Sequence, residues 1–127
     1  MPVTSWMSAP GATISTVAYD EELANRIREL VLIEPGVTER RMFGGLAFLM
    51  DGNMAVSASG QGGLLLRVDP AESEDLLADE HAERFEMRGR AMRGWLRVAP
   101  EGVIEEASLR RWVAVGLAYA RSLPPKR

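Results

Sequence analysis

The stretch from Leu46 to Ala58, LAFLMDGNMAVSA, decides the fold. Asp51-Gly52-Asn53 is a strong hairpin signal, because a tight primed turn needs positive φ and these residue types tolerate it. Leu46–Met50 enters the turn as a strand and Met54–Ala58 leaves it, with Met54, Val56 and Ala58 expected on one face. Gly44-Gly45 separates this hairpin from an earlier short strand, Val37–Met42. On the other side, Ser59–Gly63 reads as a turn and Leu64–Val68 as the next strand. Its Leu64, Leu66 and Val68 are expected to face inward, and Arg67 and Asp69 outward. The product is an antiparallel meander.

Outward from the meander the period changes to that of a helix. From Asp20 to Leu32 the apolar positions Leu23, Ile27, Leu30 and Val31 recur at helical spacing. Asp20, Glu21 and Glu22 lie where the helix dipole favours anions, and Pro35-Gly36 stops the element. After Asp69-Pro70 a short helix opens at Pro70 or Ala71 and ends by Asp79–His81. Phe85–Arg88 and Ala91–Val98 read as a second hairpin around Gly89. Within it Met92, Leu96 and Val98 alternate with Arg93, Trp95 and Arg97. Pro100-Glu101-Gly102 closes the sheet. The last helix runs from about Glu106 to Leu123, with Ser108 as a possible cap and Pro124-Pro125 as a stop. Its core stripe is Leu109, Trp112, Val113, Gly116, Leu117 and Ala120. Val115 and Tyr119 lie off that stripe, so the helix is apolar nearly all round, as in a deeply buried helix or one shared with a partner. The order α-β-β-β(-β)-α-β-β-α gives an α+β fold: an antiparallel sheet of about five to six strands with helices packed on it.

With 127 residues, 46% hydrophobic and 26% charged, residues 18–127 are enough for one domain with an ordinary core. Residues 1–17, rich in Pro, Gly, Ser and Thr without periodicity, read as a flexible leader or as sequence upstream of a start at Val17. That leader has no basic n-region and no continuous apolar run, so it does not read as a secretory signal. The apolar stretches near Phe43–Met50 and Trp112–Ala120 are under half of the ~20 residues that cross a bilayer. The expectation is a soluble, cytoplasmic protein.

Reactive chemistry finds little material. The absence of cysteine removes thiolate nucleophiles and cysteine-ligated metals, and a lone histidine, His81, removes any two-histidine metal site. His81 lies in the acidic run Asp79–Glu83 and is expected to be exposed. The carboxylate groups Asp20–Glu22, Glu72–Asp75, Asp79–Glu83 and Glu105-Glu106 sit at helix ends or in charged runs, where solvation keeps their pKa values together. Gly60-Gln61-Gly62-Gly63 joins two strands and is a turn rather than a phosphate cradle. The expectation is no enzyme: no catalytic, cofactor-binding or metal residue is assigned. Met42, Met50, Met54, Met87 and Met92 fall on strand positions and read as packing.

The uneven feature is arginine. All basic residues but Lys126 are arginine, and Arg84, Arg88, Arg90, Arg93 and Arg97 fall within one hairpin. Guanidinium forks grip phosphates or carboxylates, and Trp95 beside them could stack a base or a guanidinium. The candidate partner-binding residues are therefore Arg88, Arg90, Arg93, Trp95 and Arg97, with Val115 and Tyr119 on the last helix. Against them stands a solvated sheet face balanced by the acidic stretch Glu72–Glu83. The net charge of −3 disfavours nucleic acid as the partner and favours a protein, either a second copy or a regulatory partner.

The chain resembles the N-terminal domain of the TfoX/Sxy family, regulators associated with DNA-uptake competence in bacteria. The residues that carry the likeness are Tyr19–Leu23, Arg41-Met42-Phe43-Gly44-Gly45 followed by Leu46–Gly52, Leu64–Asp69, Met92–Val98, Leu109–Val113 and Pro124-Pro125. It covers about Ala18 to Leu123. The resemblance implies an α+β fold of the secretion-chaperone-like type, no enzyme activity and no cofactor. It also implies a competence-regulating role that, in the regulators resembled, goes with a second helical domain after the first.

Overall fold

The computed structural model describes residues 19–42 and 44–126. The proposed leader and Phe43 lie outside the described residues. Within them the chain runs α1 (Glu21–Val31), β1 (Val37–Met42), β2 (Gly45–Met50), β3 (Asn53–Ala58), β4 (Leu64–Arg67), α2 (Ser73–Leu76), β5 (Ala82–Met87), β6 (Arg90–Val98), a 3-10 turn (Pro100–Val103) and α3 (Glu106–Ser122). One six-stranded sheet has the order β1-β2-β3-β4-β6-β5, and every neighbouring pair is antiparallel. The α+β architecture read from the sequence is the architecture of the protein.

Local chemistry sets the ends of these elements. The Asp20 carboxylate accepts hydrogen bonds from the backbone N–H of Glu22 (2.9 Å) and Leu23 (3.2 Å), so two orphan donors of α1 are satisfied. Both predicted hairpins turn through consecutive positive φ angles: Asp51 (51°) and Gly52 (86°), then Arg88 (56°) and Gly89 (78°). Ser108 is not the cap of α3. The helix begins two residues earlier, with Glu105 at the N-cap position and no side-chain cap bond. The strand expected at Phe85–Arg88 starts earlier, at Ala82, and leaves Arg88 in the turn.

One face of the sheet packs under the helices. Leu46, Phe48, Met50, Val56, Ala58, Leu64, Leu66, Val68, Leu96 and Val98 join Leu23, Ile27, Leu109, Trp112, Val113 and Leu117 in a continuous core. α3 approaches β3 closely because Gly116 has no side chain. A Cβ there would stand 2.6 Å from the Ala55 carbonyl oxygen. The register explains why Ala55 projects: Phe48 faces Val56 and Leu49 faces Met54, which leaves Ala55 as a bulged extra residue. The bulge also corrects one sequence expectation. Met54 does not share a face with Val56 and Ala58; it points to the opposite side.

That opposite side holds a second, smaller cluster. Ala47, Leu49, Met54 and Leu65 are buried there, and Met42, Phe85 and Trp95 pack half-open around them. Every strand of the sheet contributes to it. The buried apolar side chains of α1 and α3, and Leu76 and Leu77 at α2, belong to the first cluster instead.

Candidate partner-binding surface

β1 and β5 are the two outer strands of the sheet, yet Met42 of β1 and Phe85, Met87 and Arg88 at the end of β5 line one cleft of about 240 Å3. The sheet therefore curls, and the face without helices is concave. Leu65 of β4 forms part of the floor. Ser57, Ser59, Gln61 and Glu86 supply the polar lining. Ser57 is buried, and its hydroxyl finds only a long 3.3 Å bond to the Ala58 carbonyl.

The arginines of the β5–β6 hairpin, alike in sequence, separate in space. Arg97 is 17% exposed and serves its own chain: it donates to the carbonyls of Gln61 (2.8 Å) and Gly62 (2.7 Å) and lies 3.6 Å from Glu83. It fastens the β3–β4 turn to β6, and its Nε is buried without a hydrogen-bond partner among the described residues. Arg84 pairs with Glu74 at 2.6 Å. The acidic stretch upstream thus balances Arg84, Arg97 and, through Asp79 at 2.9 Å, Arg111. It does not reach the hairpin tip. Arg88, Arg90 and Arg93 are exposed and have no carboxylate partner among the described residues. With Met87, Ala91 and Met92 they form a second, shallower hollow of about 320 Å3 at the tip.

Trp95 is half-buried in the concave cluster, and the Arg67 guanidinium lies 5.7 Å from its ring centre. The same guanidinium lies 5.8 Å from the ring of Tyr119. Tyr119 is therefore engaged within the chain, and Val115 is half-buried against the helix-side core. The strip on α3 is largely covered without a partner. Among the residues that α3 turns to solvent are Arg110, Arg111, Ala114, Ala118 and Arg121.

Sequence reasoning missed two features. Arg67 read only as outward-facing, and Arg40, on the same face of β1 as Met42, was not singled out; neither has a carboxylate partner among the described residues. The other is the pair Leu32-Ile33 after α1, exposed at 77% and 84%. Its signal was legible: both lie off the 23-27-30-31 stripe.

Elsewhere charged groups pair within the chain. Glu39 accepts from Arg28 at 2.5 and 3.0 Å, and this pairing lowers the Glu39 pKa and raises that of Arg28. Asp79 is also held below the usual carboxylate range, first by the backbone N–H of His81 and then by Arg111. His81 turns its Nε2 to Glu80 at 3.1 Å on a part-exposed surface. A groove at the α1 N-terminus, about 550 Å3, runs between Glu22, Gly62, Ile104 and Glu106. Its central cation, Arg26, is spent on the carbonyls of Val103 (2.8 Å) and Ile104 (3.0 Å). Among the described residues, no group of three or more His, Asp or Glu side chains is placed to hold a metal ion, and no helix is long and apolar enough to cross a membrane.

The profile of the TfoX N-terminal domain matches residues 30–120. The chain belongs to the TfoX N-terminal domain family. No curated protein matches it. The matched span starts in the last turn of α1 and ends in α3, so the sheet, both hairpins and the whole lining of the concave cleft lie inside the TfoX N-terminal domain.

Proposed function

We propose that this TfoX N-terminal domain is a non-enzymatic regulatory or adaptor module that works by gripping another protein, in the competence- and transcription-related setting of its family. The observation that carries this reading is the β5–β6 tip: Arg88, Arg90 and Arg93 stand unpaired beside Met87 and Met92 in a hollow that adjoins the concave cleft. Flexible thioethers and unspent guanidinium forks suit a surface that adapts to a partner. The partner is a regulatory protein or a second copy of the chain.

The test is a photo-crosslinking phenylalanine analogue placed at Arg90 and, as a control, at Ala118 on the outer face of α3. Discrete protein adducts from position 90 in cells, with none from position 118, are expected. Adducts only from position 118, or none from either, would overturn the reading. A second reading, binding to nucleic acid, is favoured by the same unpaired arginines. It requires nuclease-sensitive adducts at position 90 and affinity falling with salt by a log–log slope of about 0.9 per phosphate contact.

A further inference from the structure

We propose that the concave cleft between Met42 and the β5–β6 tip receives an extended acidic segment of a partner protein, with one or two apolar side chains seated in the cleft. This rests on the protein-binding reading above and adds to it the chemistry of the partner. Three observations converge on it.

The first is charge. Arg88 lines the cleft, Arg40 stands two residues from Met42 on the same face of β1, and Arg90 pairs with Met87 in register. None of these three has a carboxylate partner among the described residues, and only one acid, Glu86, lines the cleft. Within the cleft Arg88 stands beside Glu86; the excess of cations comes from Arg90 and Arg93 at the adjoining hairpin tip and from Arg40 further along β1. Carboxylates spaced along an extended strand that leaves the cleft over the tip can meet these guanidinium groups.

The second is the lining. Met42, Leu65, Phe85 and Met87 give one wall of apolar and thioether surface, Ser57, Ser59, Gln61 and Glu86 a polar one, and about 240 Å3 suits one or two side chains with their backbone against the polar wall. A single-stranded nucleic acid is held by stacking on open aromatic faces. Trp95 is packed into the cluster with Arg67 over its ring, and Phe85 is half-buried. The cleft is therefore better matched to apolar side chains than to bases.

The third is the backbone at Arg88. Its φ of 56° places an arginine in the left-handed region, where asparagine or glycine would be at less cost. A residue kept in an unfavourable conformation at the mouth of a cleft is consistent with a use for its side chain.

The experiment is fluorescence anisotropy on the full chain, with a fluorescein-labelled peptide of alternating leucine and glutamate as probe. Its serine–glutamate counterpart and an oligothymidylate serve as comparison ligands. The leucine–glutamate peptide is expected to bind at least about tenfold more tightly than either. Arg88→Asn is expected to raise the melting temperature while weakening the peptide by about fivefold or more, which separates binding from folding. Arg40→Ser and Met87→Ser are expected to weaken it as well. Equal binding of the serine peptide, tighter binding of the oligonucleotide, or no binding at all would overturn the proposal. So would unchanged affinity in Arg88→Asn and Met87→Ser, or a dimer in sedimentation that Arg88→Asn dissolves. Protein adducts at position 90 without peptide binding would sink this proposal and leave the protein-binding reading standing. Peptide binding without adducts would overturn both, since the cleft would then lack a protein partner in cells.

Discussion

Under α1 and α3 the sheet buries Phe48, Val56, Leu64, Leu66 and Val98 so completely that no water reaches them, and Trp112 closes the layer at 1% exposure. On the concave side only Ala47 is sealed to that degree; Leu49, Met54 and Leu65 keep 4–5% exposure, and Met42, Phe85 and Trp95 remain half-open. The arginines follow this division only in part. Arg26, Arg28, Arg110, Arg111 and Arg121 on or beside the helices each lie within 4 Å of a carboxylate, whereas Arg40, Arg67, Arg88, Arg90 and Arg93 have none among the described residues; Arg97, paired with Glu83 on the concave face, and Arg41, unpaired on the helix side, are the exceptions. The contrast teaches that one side of the sheet supplies stability and leaves the other side free to carry side chains that stability does not need.

The sharpest way to break that contrast is to attack the helix-backed side. Trp112→Ala should cost about 3–5 kcal/mol in equilibrium denaturation, because a fully buried indole leaves a cavity that the surrounding core cannot close. Trp95→Ala on the concave side should cost clearly less. An equal loss at the two positions would mean that both faces hold the fold together.

A smaller effect probes where α3 meets the bulge. Gly116→Ala gains helix propensity of about 1 kcal/mol, but its Cβ would press on the backbone carbonyl of Ala55, which cannot move aside. Overpacking should win, with a net loss of about 1–2 kcal/mol by denaturant midpoint. A more stable protein would show that the close approach of α3 and β3 is slack.

On the concave rim the sign reverses. Arg88→Asn should stabilise the chain by about 1 kcal/mol, the cost released when asparagine takes the left-handed position. Its thermal melt checks this directly. A loss of stability would show that Arg88 contributes to the fold as the helix-side arginines do.

The smallest effect is a pH dependence on the helix side. Asp79 has a depressed pKa in the folded chain, so its ionisation stabilises the fold above the ordinary carboxylate pKa of about 3.9. That contribution is lost as pH falls through the depressed value. Asp79→Asn should therefore lie below the parent protein by less than about 1 kcal/mol at pH 7, with the two converging below about pH 4. A gap that widens on acidification would contradict the assignment.

Much of the fold was legible because its signals are local. Asp51-Gly52 and Gly89 name their turns, Asp20 caps its helix, and Leu64-Leu66-Val68 alternates through a regular strand. The misplacement of Met54 has an equally physical cause. The bulge at Ala55 shifts the phase of β3 by one residue, and no glycine or proline marks it. The candidate surface was half legible. Arg88, Arg90 and Arg93 were found as a charge pattern, but Arg97 shares that pattern and is spent on the β3–β4 turn. An irregularity in β6 separates them: Arg84 faces Leu96, whereas Glu86 faces Ala91. Arg40 and Met42 could not be linked to the hairpin tip from sequence, because only the curl of the whole sheet brings its two outer strands to one cleft.

The methionines offer reporters on both sides: Met50 in the helix-backed core, Met42 and Met87 in the concave cleft. Methyl NMR of the methionine-labelled chain, titrated with the leucine–glutamate peptide, reads all three at once. Saturable shifts at Met42 and Met87 with Met50 unmoved are the predicted result. A titration that moves Met50 as much as the other two, or leaves Met42 and Met87 in place, would contradict the division of the sheet into a stabilising side and a binding side.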